Sequence, residues 1–298
     1  TFSWDTFPAL AVMVGLFTGG VYGGSRSAIL LNIPGAPAAV ATGFDGYPLA
    51  RRGEAGVAMG LATTESFLGE LFGILVLAFA APIVSKFALS FAPRDYFLLT
   101  IMGLFLVGSL SEGSLLKALI AAALGITVGL IGLDPVTGQP RLTFGSYSLI
   151  GGIHFVVVMI GLFGLSEGLH QLHYNVEPVK QKIDKITPDF QLILKNLPLT
   201  LRCSLIGTLI GALPGTGGDI ASLIAYDHAK RTVGNPSRPF GQGAYEGVIA
   251  PEAANNAAIG GAFIPMMTLG IPGDSVTAIL IGALIIHGLR PGPLLMKE

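Results

Sequence analysis

The residues with chemistry to offer lie inside apolar sequence. Three stretches carry a Pro-Gly pair in similar surroundings: Asn32-Ile33-Pro34-Gly35, Ala212-Leu213-Pro214-Gly215 and Gly270-Ile271-Pro272-Gly273. Proline removes a backbone donor and clashes with the preceding turn, and glycine accepts positive φ, so each pair stops a helix. Within a bilayer the freed N–H and C=O groups need partners, which confines such stops to the protein interior or a polar cavity. Amides at a helix N-terminus suit a carboxylate, and carbonyls at a helix C-terminus suit Na⁺. Ser25, Asn32, Gly35, Asn255, Asn256, Gly273 and Ser275 are therefore the candidates for contact with an anion. Thr216, Gly217 and Gly218 are the candidate cation site, for Na⁺ or H⁺. Asn255 and Asn256 stand at the mouth of an apolar window and offer neutral amides without the cost of burying two charges. Each has a purely structural competitor. Asn32 can cap a broken helix, Ser25 can bond a neighbouring helix, and the glycines after Pro214 can serve close packing.

Other residues promise less. Glu65 and Glu70, five apart, do not share a helix face well and call for partners on other helices. Glu252 and Asp219 flank broken regions; intramembrane acids are functional by default, but either can cap a helix at the interface. Asp274 follows the last break and is an expected N-cap. Asp45 and Tyr47 shape a turn before Arg51-Arg52. His154 and His287 are lone histidines in apolar runs and are expected to pack. No His/Glu cluster has metal-ligand spacing, no Gly-Lys-Ser/Thr phosphate loop occurs, and Cys203 is a single cysteine. No cofactor is expected, and no metal beyond a coupling Na⁺.

The elements that position these residues are set by composition. The chain has 298 residues, of which 12% are charged and 51% hydrophobic, with 42 glycines and a net charge of -1; mean hydropathy is +0.70. A soluble surface needs about twice that share of charge, and a nucleic-acid partner needs a basic excess. A helix crosses the hydrocarbon core with about 20 apolar residues. Windows 8–31, 57–84, 96–110, 115–133, 147–169, 197–225 and 254–286 qualify. The arms around Pro214, at about 13 residues or roughly 20 Å each, are too short to span and read as a re-entrant hairpin. The polar stretch 170–196, with four lysines, divides a first membrane repeat, 1–169, from the start of a second, 197–298. Lys/Arg placement puts this linker in the cytoplasm. The expectation is an all-α polytopic membrane protein built on inverted repeats, with broken helices and re-entrant Pro-Gly hairpins.

An internal similarity supports the repeats. Gly23-Gly24 precedes Ile33-Pro34-Gly35 as Gly260-Gly261 precedes Ile271-Pro272-Gly273. Paired broken helices in two halves point to a secondary transporter's substrate site. Six motifs in order, Tyr22-Gly23-Gly24-Ser25, Leu31-Asn32-Ile33-Pro34-Gly35, Asp45-Gly46-Tyr47-Pro48, Asp134-Pro135-Val136-Thr137-Gly138, Pro214-Gly215-Thr216-Gly217-Gly218 and Ala250-Pro251-Glu252-Ala253-Ala254-Asn255-Asn256-Ala257, resemble the large permease subunit of the tripartite tricarboxylate transporters, the TctA type. The resemblance covers nearly the whole chain. It implies a cation-coupled secondary transporter of organic carboxylates in a bacterial inner membrane, not an enzyme. It also implies a small membrane subunit and a periplasmic solute-binding protein as partners. The family carries a further hairpin upstream and more helices downstream, so a fragment is expected. It more often has Thr where Ile33 stands. The rival readings are an intramembrane enzyme, which needs a catalytic pair such as Glu65 and Glu70, and a non-transporting membrane scaffold.

Overall fold

The computed structural model describes residues 4–90, 92, 94–95, 97–98, 101, 115–134, 137–153, 169, 186 and 190–295. Most of windows 96–110 and 147–169, most of the polar stretch 170–196, Pro135, Val136 and His154 lie outside the described residues. Among the described residues there are eight α-helices: α1 Thr6–Leu31, α2 Val40–Arg51, α3 Ala55–Ala88, α4 Leu115–Gly129, α5 Phe190–Gly211, α6 Gly217–Thr232, α7 Glu246–Leu269 and α8 Ser275–Ile286. Three of them, α1, α3 and α5, are long and apolar enough to cross a bilayer. The chain is a helical membrane protein.

It divides into two compact units, one of Thr1–Asp95 with Glu177–Glu298 and one of Tyr96–Val176. In the second unit α4 leads into a short antiparallel hairpin pairing Gly132 with Arg141 and Leu133 with Pro140. The Asp134 motif closes that turn: Thr137 N donates to Asp134 Oδ1 at 3.1 Å, Gly138 N to Asp134 O at 2.8 Å, and Arg141 pairs with the Asp134 carboxyl.

In the first unit α7 is the central helix, packed against α3 and α5 and buried along almost its whole length. Small residues make this possible. A Cβ on Gly69 or Gly73 of α3 would run into the backbone of Ala253 or Ala257, and one on Gly207 or Gly211 of α5 into Ala254 or Ala258. Both flanks thus carry the small-xxx-small spacing that lets helices approach closely where hydrophobicity alone cannot drive them together. The outer side of α3 shows Phe67, Phe79, Ile83 and Phe87 to the surroundings, as a lipid-facing surface should.

Three expectations need correction. The helix before Pro214 begins at Phe190, not near Leu199, and its 22 residues are long enough to span. Asn196 does not end it, because its Nδ2 donates back to Leu192 O at 2.9 Å. Likewise α7 begins at Glu246, so Asn255 and Asn256 lie in mid-helix, fully buried, and not at a mouth. The Ala-rich run around them continues the helix, and Pro251 removes only one donor from it. The Asp45-Gly46-Tyr47-Pro48 motif lies within α2, not in a turn. Asp45 is fully buried there; its Oδ1 accepts from Gly243 N at 2.7 Å and Ala244 N at 2.8 Å, and its Oδ2 from Tyr226 Oη at 2.9 Å.

A second carboxylate ties down the same loop. Glu54, at the N-cap of α3, accepts from Arg238 Nη2 at 2.7 Å, Arg238 Nη1 at 3.1 Å and Tyr245 Oη at 2.8 Å. Burial raises its pKa, but the hydrogen bonds from Arg238 and Tyr245 and the charges of Arg238 and Arg52 outweigh that and hold it below the ordinary carboxylate value.

Candidate functional site

Two of the breaks are built alike. α1 ends at Asn32 in the left-handed conformation, φ 57°, and α7 ends at Gly270, φ 70°. In each the cap amide bonds four residues back, Asn32 to Ala28 O and Gly270 to Met266 O. In each the next amide reaches six residues back, Ile33 to Ser27 O and Ile271 to Pro265 O. The Pro-Gly glycine then folds onto the helix it has just left: Gly35 against Gly24, and Gly273 against Ala262. The matching partners are Gly24 and Ala262, so the two copies run in one frame, with Gly23 facing Gly261 and no residue inserted in either. Asn32 thus serves as the helix cap; asparagine tolerates this conformation better than most side chains.

The breaks meet one another. Gly215 N donates to Gly273 O at 2.9 Å, joining the second break to the third. A Cβ on Gly217, φ 61°, would lie 2.9 Å from the Asp274 Cβ. Asp219, in the first turn of α6, lies beside Ala38, just after the first break, and near Asp274. Three helix stops, far apart in sequence, therefore converge around the N-terminal turns of α6 and α8.

Of the candidates gathered there, Ser275 is half-buried and makes no hydrogen bond with the described residues, and Asn32 and Gly35 are exposed. Asp274 is the N-cap of α8 in a reciprocal box with Thr277, as expected: its Oδ1 accepts from Thr277 N at 2.7 Å, and Thr277 Oγ1 accepts from Asp274 N at 2.8 Å. The Thr216 hydroxyl is engaged within its own break, donating to Leu213 O at 2.9 Å and to Ile210 O. Its hydrogen is taken by those carbonyls, and its lone pairs stay available to a cation. Ser25 is also engaged: its Oγ donates to Glu252 Oε1 at 2.5 Å.

Glu252 is the residue whose setting the sequence hid. It is neither at an interface nor a cap, but fully buried in α7. Thr42 Oγ1 donates to its Oε1 at 2.5 Å and Ser66 Oγ to its Oε2 at 2.7 Å, so α1, α2 and α3 all reach it. The other acids take neutral partners. Thr200 Oγ1 donates to Glu65 Oε2 at 2.7 Å, while Glu70 faces Asn256 and Thr18. Glu65 and Glu70, the pair offered for a catalytic role, thus have different neighbours. An apolar cleft of 660 Å³ lined by Leu10, Val14, Ile74, Phe263 and Leu284 has Glu70 as its one acid and offers no converging donors for an anion.

Fold and site together define a helical membrane protein in which two like-built broken helices meet a third break. The chain belongs to the tripartite tricarboxylate transporter TctA family, whose model matches residues 1–298. It is 40% identical over 298 residues, 98% of its length, to an Agrobacterium vitis protein described as an uncharacterized 52.8 kDa protein in the TAR-I ttuC' 3' region. A second Agrobacterium vitis protein, from the TAR-II ttuC' 3' region, is 51% identical over 87 residues, covering 29% of this chain and 36% of its own. The chain spans 59% of the length of the first relative. No solved structure matches it.

Proposed function

We propose that the chain is the membrane permease part of a cation-coupled secondary transporter that imports tricarboxylates or related organic acids. It works with a small membrane subunit and a periplasmic solute-binding protein in a bacterial inner membrane. The observation that carries this reading is the convergence of the three Pro-Gly breaks through Gly215, Gly273, Asp219 and Ala38. Helix-terminal amides around Gly273 and Ser275 suit carboxylate oxygens, whereas the Gly35 amide is already given to Gly24 O at 3.2 Å. Asp219 and Asp274, with the glycines after Thr216, suit the cation that offsets the anion's charge at membrane depth. Movement of one half against the other then exposes the junction to either side.

Reconstitution of the full-length permease with its partner subunits in proteoliposomes tests this. An inward Na⁺ or H⁺ gradient should drive uptake of a labelled organic acid. Ser275→Ala should keep the Asp274–Thr277 cap and lower apparent affinity about tenfold or more, since a hydrogen bond to a charged group contributes about 1.5–3 kcal/mol. Absence of gradient-driven uptake across a panel of mono-, di- and tricarboxylates would overturn the reading.

A further inference from the structure

The buried cluster around Glu252 lacks a counter-charge. Among the described residues no Lys, Arg or His pairs with it, and it lies close enough to another acid, Glu65, for Glu65 to feel its charge. Three hydroxyls, from Ser25, Thr42 and Ser66, aim their hydrogens at it over 2.5, 2.5 and 2.7 Å. All three donors fall on the one carboxyl group. A lone negative charge at that depth is expensive. A second observation points the same way. Asn255 lies beside Glu252 and is fully buried, yet neither its Oδ1 nor its Nδ2 has a hydrogen-bond partner of acceptable geometry. An orphaned amide next to a buried carboxyl is costly unless something else occupies the cluster.

The geometry points to a Na⁺ site formed by the Glu252 carboxylate, the hydroxyls of Ser25, Thr42 and Ser66, and the Asn255 amide oxygen. All are hard oxygen ligands. One carboxylate sets the charge at -1, which a monovalent ion neutralises and a divalent ion overshoots. Serines within helices can turn their hydrogens to a carbonyl four residues back and leave their lone pairs to the ion. The site is separate from the glycines after Thr216. It lies directly beneath the junction, because a Cβ on Gly218 would meet Asn255 O at 3.0 Å and Gly24, next to Ser25, is the residue on which Gly35 packs. Na⁺ here draws α1, α2, α3 and α7 together under the point where the breaks meet. Its part in coupling rests on the transport reading; binding itself does not.

The test is thermal unfolding of the full-length chain in detergent, with NaCl, KCl or choline chloride at matched ionic strength, together with binding of radioactive Na⁺. Na⁺ should raise the melting temperature saturably where K⁺ and choline do not. Ser66→Ala and Asn255→Ala should each weaken apparent Na⁺ affinity about tenfold through loss of one ligand, and Glu252→Gln should abolish the Na⁺-specific response. Should Glu252→Gln fail to fold, the other two variants decide. Equal responses to the three salts, a response governed by pH without Na⁺ dependence, or wild-type Na⁺ affinity in both single-ligand variants would overturn the site. Na⁺ binding without carboxylate uptake leaves the site standing and removes the transport reading, whereas Na⁺-driven uptake whose Na⁺ dependence survives Glu252→Gln removes the site.

Discussion

Glu54 and Glu252 do similar structural work in opposite surroundings. Each is a carboxyl that gathers three donors from distant sequence. Glu54 takes two from Arg238 and one from Tyr245, and its counter-charge is covalently part of the chain. Arg238 also lies over the Tyr245 ring, 5.2 Å from its centroid. Glu252 takes all three from neutral hydroxyls and has no cationic partner among the described residues. Where solvent still reaches both partners, an arginine is inexpensive to station beside an acid. In the interior a permanent ion pair must recover the desolvation of two charges and leaves little net stabilisation. Hydroxyls hold the carboxyl in place without stationing a fixed positive charge beside it.

Mutating the interior cluster should have the larger effect. Glu252→Leu leaves three buried hydroxyls without their acceptor, at about 1–3 kcal/mol each before any turn back to their own helices. A loss of about 3 kcal/mol in unfolding free energy is expected, read by denaturant titration in detergent. A loss under about 1 kcal/mol would mean that the cluster contributes little to holding the four helices.

The surface clamp should respond less. Arg238→Ala removes a bidentate partner whose side chain is 27% exposed, so about 1 kcal/mol is expected, falling as salt rises. A larger, salt-independent loss would erase the contrast with Glu252. The smallest effect should come from acid. Because the folded pKa of Glu54 is lowered, the clamp's contribution is fully present above the ordinary carboxylate value of about 4.3 and disappears as pH falls below it. Wild type should lose that increment between mildly acidic and strongly acidic buffer, and Arg238→Ala should show less of it in parallel melts.

Much of the architecture was legible because local physics writes it. The apolar windows located α1 and α3 to within a few residues, and the stops fall at Pro34, Pro214 and Pro272, where the missing N–H stands beside a glycine, whereas Pro82, Pro198, Pro251 and Pro265 have no following glycine and sit inside helices. Asp274 was readable as a cap for the same reason. The starts of α5 and α7 were misplaced because polar residues there signal an end, whereas Asn196 bonds back into its own helix and Glu252, Asn255 and Asn256 are held by neighbours. The repeat was visible as Gly-Gly and Ile-Pro-Gly, but its true correspondence, Gly24 with Ala262, emerged only from which residue each glycine folds against.

The sequence by itself determined the class of protein, a low-charge, glycine-rich helical membrane chain with three broken segments. Hydropathy, helix propensity and proline geometry act over a few residues and need no fold to be read. Only the tertiary structure decided that the three breaks converge, and that Ser25, a candidate ligand contact, serves a carboxyl 227 residues away. That outcome depends on how closely α3 and α5 approach α7, which Gly69, Gly73, Gly207 and Gly211 permit. A buried acid takes the hydroxyls that packing brings within reach, and packing is a property of the whole chain.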